Sequence, residues 1–317
     1  MLSLGEAERV LLSANNITHH QFEGRFVDIG QIADVTNCRV WTLFFNSQST
    51  NTPLILLHGL GSGVGWWCNN YQYLASERPV FALDMIGFGQ SSRPNFSNDP
   101  IQVERELVTS IEYWRQQVLK NNGKKMILLG CDFGAFVASS YAMKFPEKIK
   151  HLVLVDPWGF SEKRPTLPLR VLGNILNPFS IFRSLGRSFG LRILRKIIIG
   201  SSTPAAVAAA FRDYLYCCLV SKNPTGEMAF KRLMVGFAWA KYPIISRMKR
   251  RKMGVLVSAD CFNPNLPMTF VYREESYWID RQPGFVTKHL RNNVNVTIVP
   301  HQKFNIVIND ICNLKKN

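Results

Sequence analysis

Gly130-Cys131-Asp132-Phe133-Gly134 constrains this chain more than any other stretch, because it asks for a strand that ends in a sharp turn and opens directly into a helix. Lys125 to Leu129 is a short apolar run suited to a strand buried on both faces. Ala135 to Lys144 is a good helix former closed by Phe145-Pro146. The two glycines of the pattern have a physical role, since strand and helix approach across such a turn only where the neighbours of the apex carry no side chain. At the apex stands Asp132, a carboxylate where a hydroxyl would ordinarily be presented.

Apolar runs at Pro53 to Leu57, Pro79 to Asp84, Lys125 to Leu129, His151 to Asp156, Met268 to Tyr272 and Val294 to Val299 alternate with helical patterns. Such alternation predicts an α/β fold, a mostly parallel sheet with helices on both faces. Arg39 to Phe45 is expected to add an antiparallel strand at the edge, and Ile101 to Leu119 an amphipathic helix before the elbow strand. The whole chain, 1–317, reads as one domain. Residues 160–252 interrupt the sheet pattern as a helical cap over the carboxyl ends of the strands, where ligands of open α/β sheets bind.

The charge is concentrated in that cap. Between Ser161 and Lys252 stand eighteen Lys/Arg against three acids, a net of +15 out of the formal +16. Ile181, Phe182, Leu185 and Phe189 fall on one side of a helical wheel, and Leu191, Ile193, Leu194, Ile197 and Ile198 restart the pattern after Gly190. Arg183, Arg187, Arg192, Arg195 and Lys196 lie opposite these apolar stripes. Two readings stay open: an interfacial segment on an anionic lipid surface, or a cap helix packed on protein with solvated charges. No recognition helix, zinc finger or aromatic-basic RNA motif accompanies the charge, so nucleic acid is not an expected partner.

Seven cysteines without C-x-x-C or metal spacing read as free thiols in a reducing compartment, and neither a metal nor a cofactor is expected. Met1 to Asn15 carries Glu6, Glu8 and Arg9 where a signal core would have to be apolar, and no apolar run is long enough to span a bilayer. The expected location is cytoplasmic and peripheral to lipid droplets or membranes, with mitochondria as the alternative.

His58-Gly59-Leu60-Gly61-Ser62-Gly63 follows an apolar strand and can turn backbone N–H groups toward a developing oxyanion; Gly59, Leu60 and Phe133 are the candidate donors. An acid is expected after a later strand and a histidine after the last one, which selects Asp280 and His301. With Asp132 these form a degenerate nucleophile, acid and base set. A carboxylate attacks an epoxide or a carbon bearing halide well and an ester poorly, because the tetrahedral adduct expels the weaker base, the carboxylate itself. An anion beside an oxyanion hole also opposes the charge that must build there.

From Glu6 to Cys312 the chain resembles the α/β-hydrolase-domain-containing subfamily four and five, which includes the co-activator of adipose triglyceride lipase. The resemblance is carried by Leu56 to Trp67, Phe81 to Pro94, Met126 to Gly134, His151 to Phe160, Asn223 to Phe230 and Trp239 to Pro243. It implies an α/β-hydrolase fold, with serine at the position of Asp132 in active members and asparagine in the co-activator branch. The family acid maps onto Asp280 and its histidine onto His301. Members keep an aspartate five positions after that histidine, where this chain has Ile306, and the run from Arg250 to Asn265 looks like an insertion. The expected function is a catalytically impaired regulator of a patatin-type triglyceride lipase at a lipid droplet or membrane surface, with a lipid or acyl ligand under the cap. The alternatives are an Asp132-nucleophile hydrolase of epoxide or haloalkane type, and a carboxylic ester hydrolase or lysophosphatidic acid acyltransferase.

Overall fold

The computed structural model describes residues 2–120, 123–162, 178–184, 186–198, 204–221, 223–236, 239–250, 262–276, 279–300 and 303–312. Helix α1 (Leu4–Ala14) is started by a capping box: the Ser3 hydroxyl accepts from Glu6 N while the Glu6 carboxylate accepts from Ser3 N. It packs Ala7, Glu8, Leu11 and Leu12 inward. An antiparallel ribbon follows, β1 (Phe22–Ile32) and β2 (Val35–Phe45). The short buried strands β3 (Leu54–Leu57) and β4 (Val80–Leu83) come next, with a single turn, α2 (Tyr71–Leu74), between them. Helix α3 (Pro100–Leu119) begins where the Asp99 carboxylate accepts from Gln102 N and Pro100 presets the first turn. Then come β5 (Met126–Cys131), α4 (Phe133–Lys144) and β6 (Ile149–Val155).

The segment between β6 and β9, where the cap is expected, supplies α5 (Pro178–Ser184), α6 (Gly186–Ile198), α7 (Ala205–Leu219) and α8 (Thr225–Leu233). It continues with a two-stranded ribbon of β7 (Met234–Val235) and β8 (Trp239–Ala240), and with α9 (Ile244–Arg250). Strand β9 (Met268–Arg273), α10 (Gln282–Leu290), β10 (Val294–Val299) and α11 (Phe304–Cys312) complete the described chain.

Eight strands form one sheet in the order β1-β2-β4-β3-β5-β6-β9-β10, parallel except where β2 meets β1 and β4. Its middle strands are buried on both faces, as their unbroken apolar runs require. Ile55, Leu57 and Leu128 enter one core with α3 and α4, while Leu54, Leu56, Ile127 and Leu129 enter the other with α1, α7 and α11. Two expectations are corrected. The strand of Arg39 to Phe45 is longer and is not the edge, because β1 lies outside it. The break in the cap's amphipathic pattern falls before Gly186 and not at Gly190, which lies inside α6 where a Cβ would come within 2.8 Å of the Tyr216 ring.

The cap is tied to the body at several points. Helix α7 runs along α1, and the Tyr214 hydroxyl accepts from Gly65 N at 2.9 Å. Ile244 N donates to Gly159 O, and Arg247 makes a two-point ion pair with Glu104 of α3.

Candidate functional site

The elbow forms because β5 runs straight into α4. A Cβ on Gly130 would lie 2.3 Å from Gly134 O, and one on Gly134 would lie 2.4 Å from His58 O, so both positions exclude a side chain. Between them Asp132 is held at φ 52° and ψ −116°, a conformation costly for any residue but glycine. This strain raises the carboxylate at the carboxyl edge of the sheet.

Leu60 N donates to Asp132 Oδ2 at 3.0 Å. The carboxylate of Asp132 thus occupies the donor on which a tetrahedral oxyanion would depend. Burial raises its pKa; the Leu60 and Phe133 backbone N–H groups oppose the rise, while the charge of Asp156 adds to it and that of Arg273 counters it. Of the three candidate oxyanion residues, Leu60 and Phe133 turn their amides toward Asp132. Gly59 contributes room instead: a Cβ there would sit 3.2 Å from the Asp132 Cβ, and its carbonyl accepts from Ser62 N at 3.4 Å.

His58 is a structural member of this turn. Met85 N donates to its Nε2 at 3.0 Å, so the ring proton is on Nδ1, which donates to Gly59 O at 2.8 Å. Burial pushes its pKa down to about 4 and keeps the ring neutral.

Asp280 is seated at the root of the cap. Its Oδ2 accepts from Ser161 Oγ at 2.7 Å and its Oδ1 from Gln282 N at 3.2 Å. The carboxylate whose charge acts on Asp132 is Asp156, which follows β6 and is fully enclosed. Asp156 Oδ1 accepts from Arg273 N at 3.0 Å, and its Oδ2 accepts from Arg273 Nε and from Ser276 Oγ at 2.8 Å. Asp156 ends the run His151 to Asp156, and Arg273 directly follows the run Met268 to Tyr272; a charged residue at the end of each of two buried apolar runs is the signal both carry. His301 lies outside the described residues.

The basic cap residues divide. Arg183 is turned inward, bonding both carboxylate oxygens of Glu227 at 2.9 and 2.8 Å and Leu219 O at 3.1 Å, which corrects its placement on a lipid-facing surface. Arg187 reaches Asp213 at 3.2 Å across an exposed gap, and Arg192 is exposed. The side chains of Arg195 and Lys196 lie outside the described residues. Glu227 of the enclosed pair is only 6% exposed, so replacing Arg183 by glutamine weakens the pairing of a buried carboxylate and is expected to cost about 3 kcal/mol of stability in urea unfolding.

Among the described residues, no group of three or more His, Cys, Asp or Glu could hold a metal ion, and no helix is long and apolar enough to cross a membrane.

A family model described as alpha/beta hydrolase fold matches residues 52–173. The chain is 38% identical over 270 residues to mouse 1-acylglycerol-3-phosphate O-acyltransferase ABHD5, covering 80% of this chain and 72% of that one. It is 36% identical over 304 residues to human (lyso)-N-acylphosphatidylethanolamine lipase, covering 86% and 83%. Among solved structures, a membrane phospholipase A superposes with a TM-score of 0.66 at 19% identity, over 94% of this chain and 83% of that one, a likeness of fold alone. With the elbow, the glycine turn before it and the strand order in place, these matches make the chain a member of the α/β-hydrolase family, in the lipid-related branch that holds the two curated relatives.

Proposed function

We propose that this protein works in lipid metabolism by binding lipid at the elbow cleft without hydrolysing it, and that it regulates a triglyceride lipase of patatin type from a lipid droplet or membrane surface. The observation that carries this reading is the Leu60 N to Asp132 Oδ2 bond. A hydrolase spends that donor on the transition state, where removing one such bond lowers kcat about 10²- to 10³-fold. Here a resident carboxylate holds it, and the adjacent negative charge opposes formation of a second oxyanion.

One feature of the same group favours a second reading. A carboxylate anchored through Oδ2 can present its other oxygen to a haloalkane carbon, expelling halide, or to an epoxide carbon, opening the ring C–O bond to an alkoxide that takes a proton from solvent; either leaves an ester on Asp132 that water must then cleave. Intact-mass measurement of the purified protein after incubation with epoxide, haloalkane, acylglycerol and lysophosphatidate panels separates the two. The expected result is an unchanged mass and no released fatty acid. An adduct that disappears in Asp132→Asn establishes the second reading and ends the first.

The surface role is tested separately. Arg187→Gln combined with Arg192→Gln is expected to weaken binding to vesicles containing anionic lipid by about thirtyfold at low salt, since each surface cation contributes about 1 kcal/mol there. Equal binding of wild type and double variant in co-sedimentation removes these residues from the docking surface.

A further inference from the structure

Three charges meet at the carboxyl ends of the neighbouring strands β5, β6 and β9: Asp132, Asp156 and Arg273. Asp156 is saturated by the Arg273 backbone N–H, Arg273 Nε and the Ser276 hydroxyl. With Nε committed, the two terminal nitrogens of Arg273 make no hydrogen bond to any described residue. Its side chain is 23% exposed, and its guanidinium carbon lies 5.8 and 6.0 Å from the ring centroids of Trp66 and Phe304. Trp66 and Phe304 are both half-buried, so aromatic surface flanks the fork.

The described side chains therefore offer a pair of donors on Arg273 and an acceptor on Asp132, and with both carboxylates ionised they carry a net charge of −1. A phosphate could bond the fork, but Asp156 already neutralises Arg273 and the second carboxylate, Asp132, stands close enough for the two charges to shift each other's titration. Repulsion between two unit charges a few ångström apart, at an effective dielectric constant of about 20, outweighs a tenfold change in affinity. A neutral headgroup meets no such penalty. Its hydroxyl donates to Asp132 and its ester carbonyl accepts from Arg273, so both protein groups are satisfied.

We propose that the elbow cleft recognises the uncharged, hydroxyl-bearing head of an acylglycerol, and that the Asp132, Asp156 and Arg273 set discriminates against the phosphate-bearing counterpart. The inference rests on the reading of the cleft as a lipid-binding site, and it separates this chain from the acylglycerol phosphate in the name of one relative. Asp132 is the discriminating member, because among the described residues no side-chain cation pairs it directly.

The test uses the full chain and two ligands matched in acyl chain, 1-octanoylglycerol and its 3-phosphate, each below its micelle-forming concentration. Dissociation constants come from tryptophan fluorescence, with Trp66 beside Arg273 as the reporter. The wild type is expected to bind the uncharged ligand at least about tenfold tighter. Asp132→Asn keeps the shape, removes the charge and is expected to cut that ratio to about threefold or less, through tighter binding of the phosphate. Arg273→Met is expected to weaken both ligands; because it also strands Asp156, the decision rests on Asp132→Asn. The proposal is overturned if the phosphate binds the wild type as tightly as the uncharged ligand, if Asp132→Asn leaves the ratio unchanged, or if neither ligand binds. Octanoate released in the same samples reports on the non-hydrolytic reading alone: release with the ratio preserved would end that reading and leave this one standing.

Discussion

Replacing Gly134 by alanine is expected to leave little stably folded protein. The added Cβ would stand 2.4 Å from His58 O and 2.6 Å from Leu57 O, and both contacts are with backbone that no side-chain rotation can relieve. Something in the strand-turn-helix unit must shift, and the shift would reach the Leu60 amide that holds Asp132. The expected cost is about 4 kcal/mol or more, a large part of what keeps a domain folded. A control separates this clash from the general loss of a glycine. Gly123 has a positive φ that Gly134 lacks, yet a Cβ there meets nothing within 4 Å, so Gly123→Ala should cost only about 1 kcal/mol. Urea unfolding followed by circular dichroism measures both. Similar midpoints for the two variants would show that the elbow tolerates a side chain.

Glu8→Gln is expected to stabilise the protein at alkaline pH and to change it little in acid. Glu8 lies in the core beneath α1, where its carboxylate accepts from Trp41 Nε1 at 3.1 Å and Gln90 Nε2 at 3.0 Å. Burial, and then the charge of Asp84, push its pKa from 4.5 up to about 8. Asp84 is itself raised to about 6 by burial, against the Gln90 and Val64 amides that bond it. A carboxyl whose folded pKa is raised binds its proton more tightly in the native state than in the unfolded one. Its contribution is therefore fully present below pH 4.5 and is lost as pH rises through about 8. Unfolding free energy of the wild type should fall across that window, and the variant, which has no proton to lose at this position, should fall less. At pH 9 the variant is expected to be more stable by about 3 kcal/mol, and at pH 4 to differ by less than about 1 kcal/mol. Parallel stability profiles for the two proteins between these pH values would show that Glu8 does not govern the window.

The parts of the fold legible in the chain are those whose physics is local. The strands β3 to β6 and β9 announce themselves as apolar runs because burial on both faces leaves little polar alternation to confuse them, while the edge strand β10 interleaves Asn295 and Thr297 with its apolar residues. Asp132 and Leu60 are legible for the same reason, since glycines that cannot be replaced mark the turns that bring them together. Strand β1 was missed because it is an edge strand with mostly exposed residues, so its period-two signal is faint. Helix α1 was missed because its inward face includes Glu8, a residue that reads as surface until its partners Trp41 and Gln90 are known.

The site shows the same division. Asp156 and Arg273 are 117 positions apart and meet only because β6 and β9 are neighbours in the sheet, with the whole cap in the intervening sequence. Chain order instead pointed to Asp280, whose carboxylate is engaged by Ser161 at the cap's root. In the cap, a count of charges locates the excess of cations but not who faces whom. Glu227 and Asp213 answer Arg183 and Arg187 from other helices, so part of the apparent basic face is internal.

Helix α7 lies along α1, the Cys217 thiol points to Leu2 O at 3.6 Å, and the Tyr214 hydroxyl is fastened to Gly65 beneath them. Drawing α7 away from the sheet must then either carry α1 with it or break the Gly65 to Tyr214 bond, so a covalent clamp between α1 and α7 would hold this side of the fold fixed without altering the elbow.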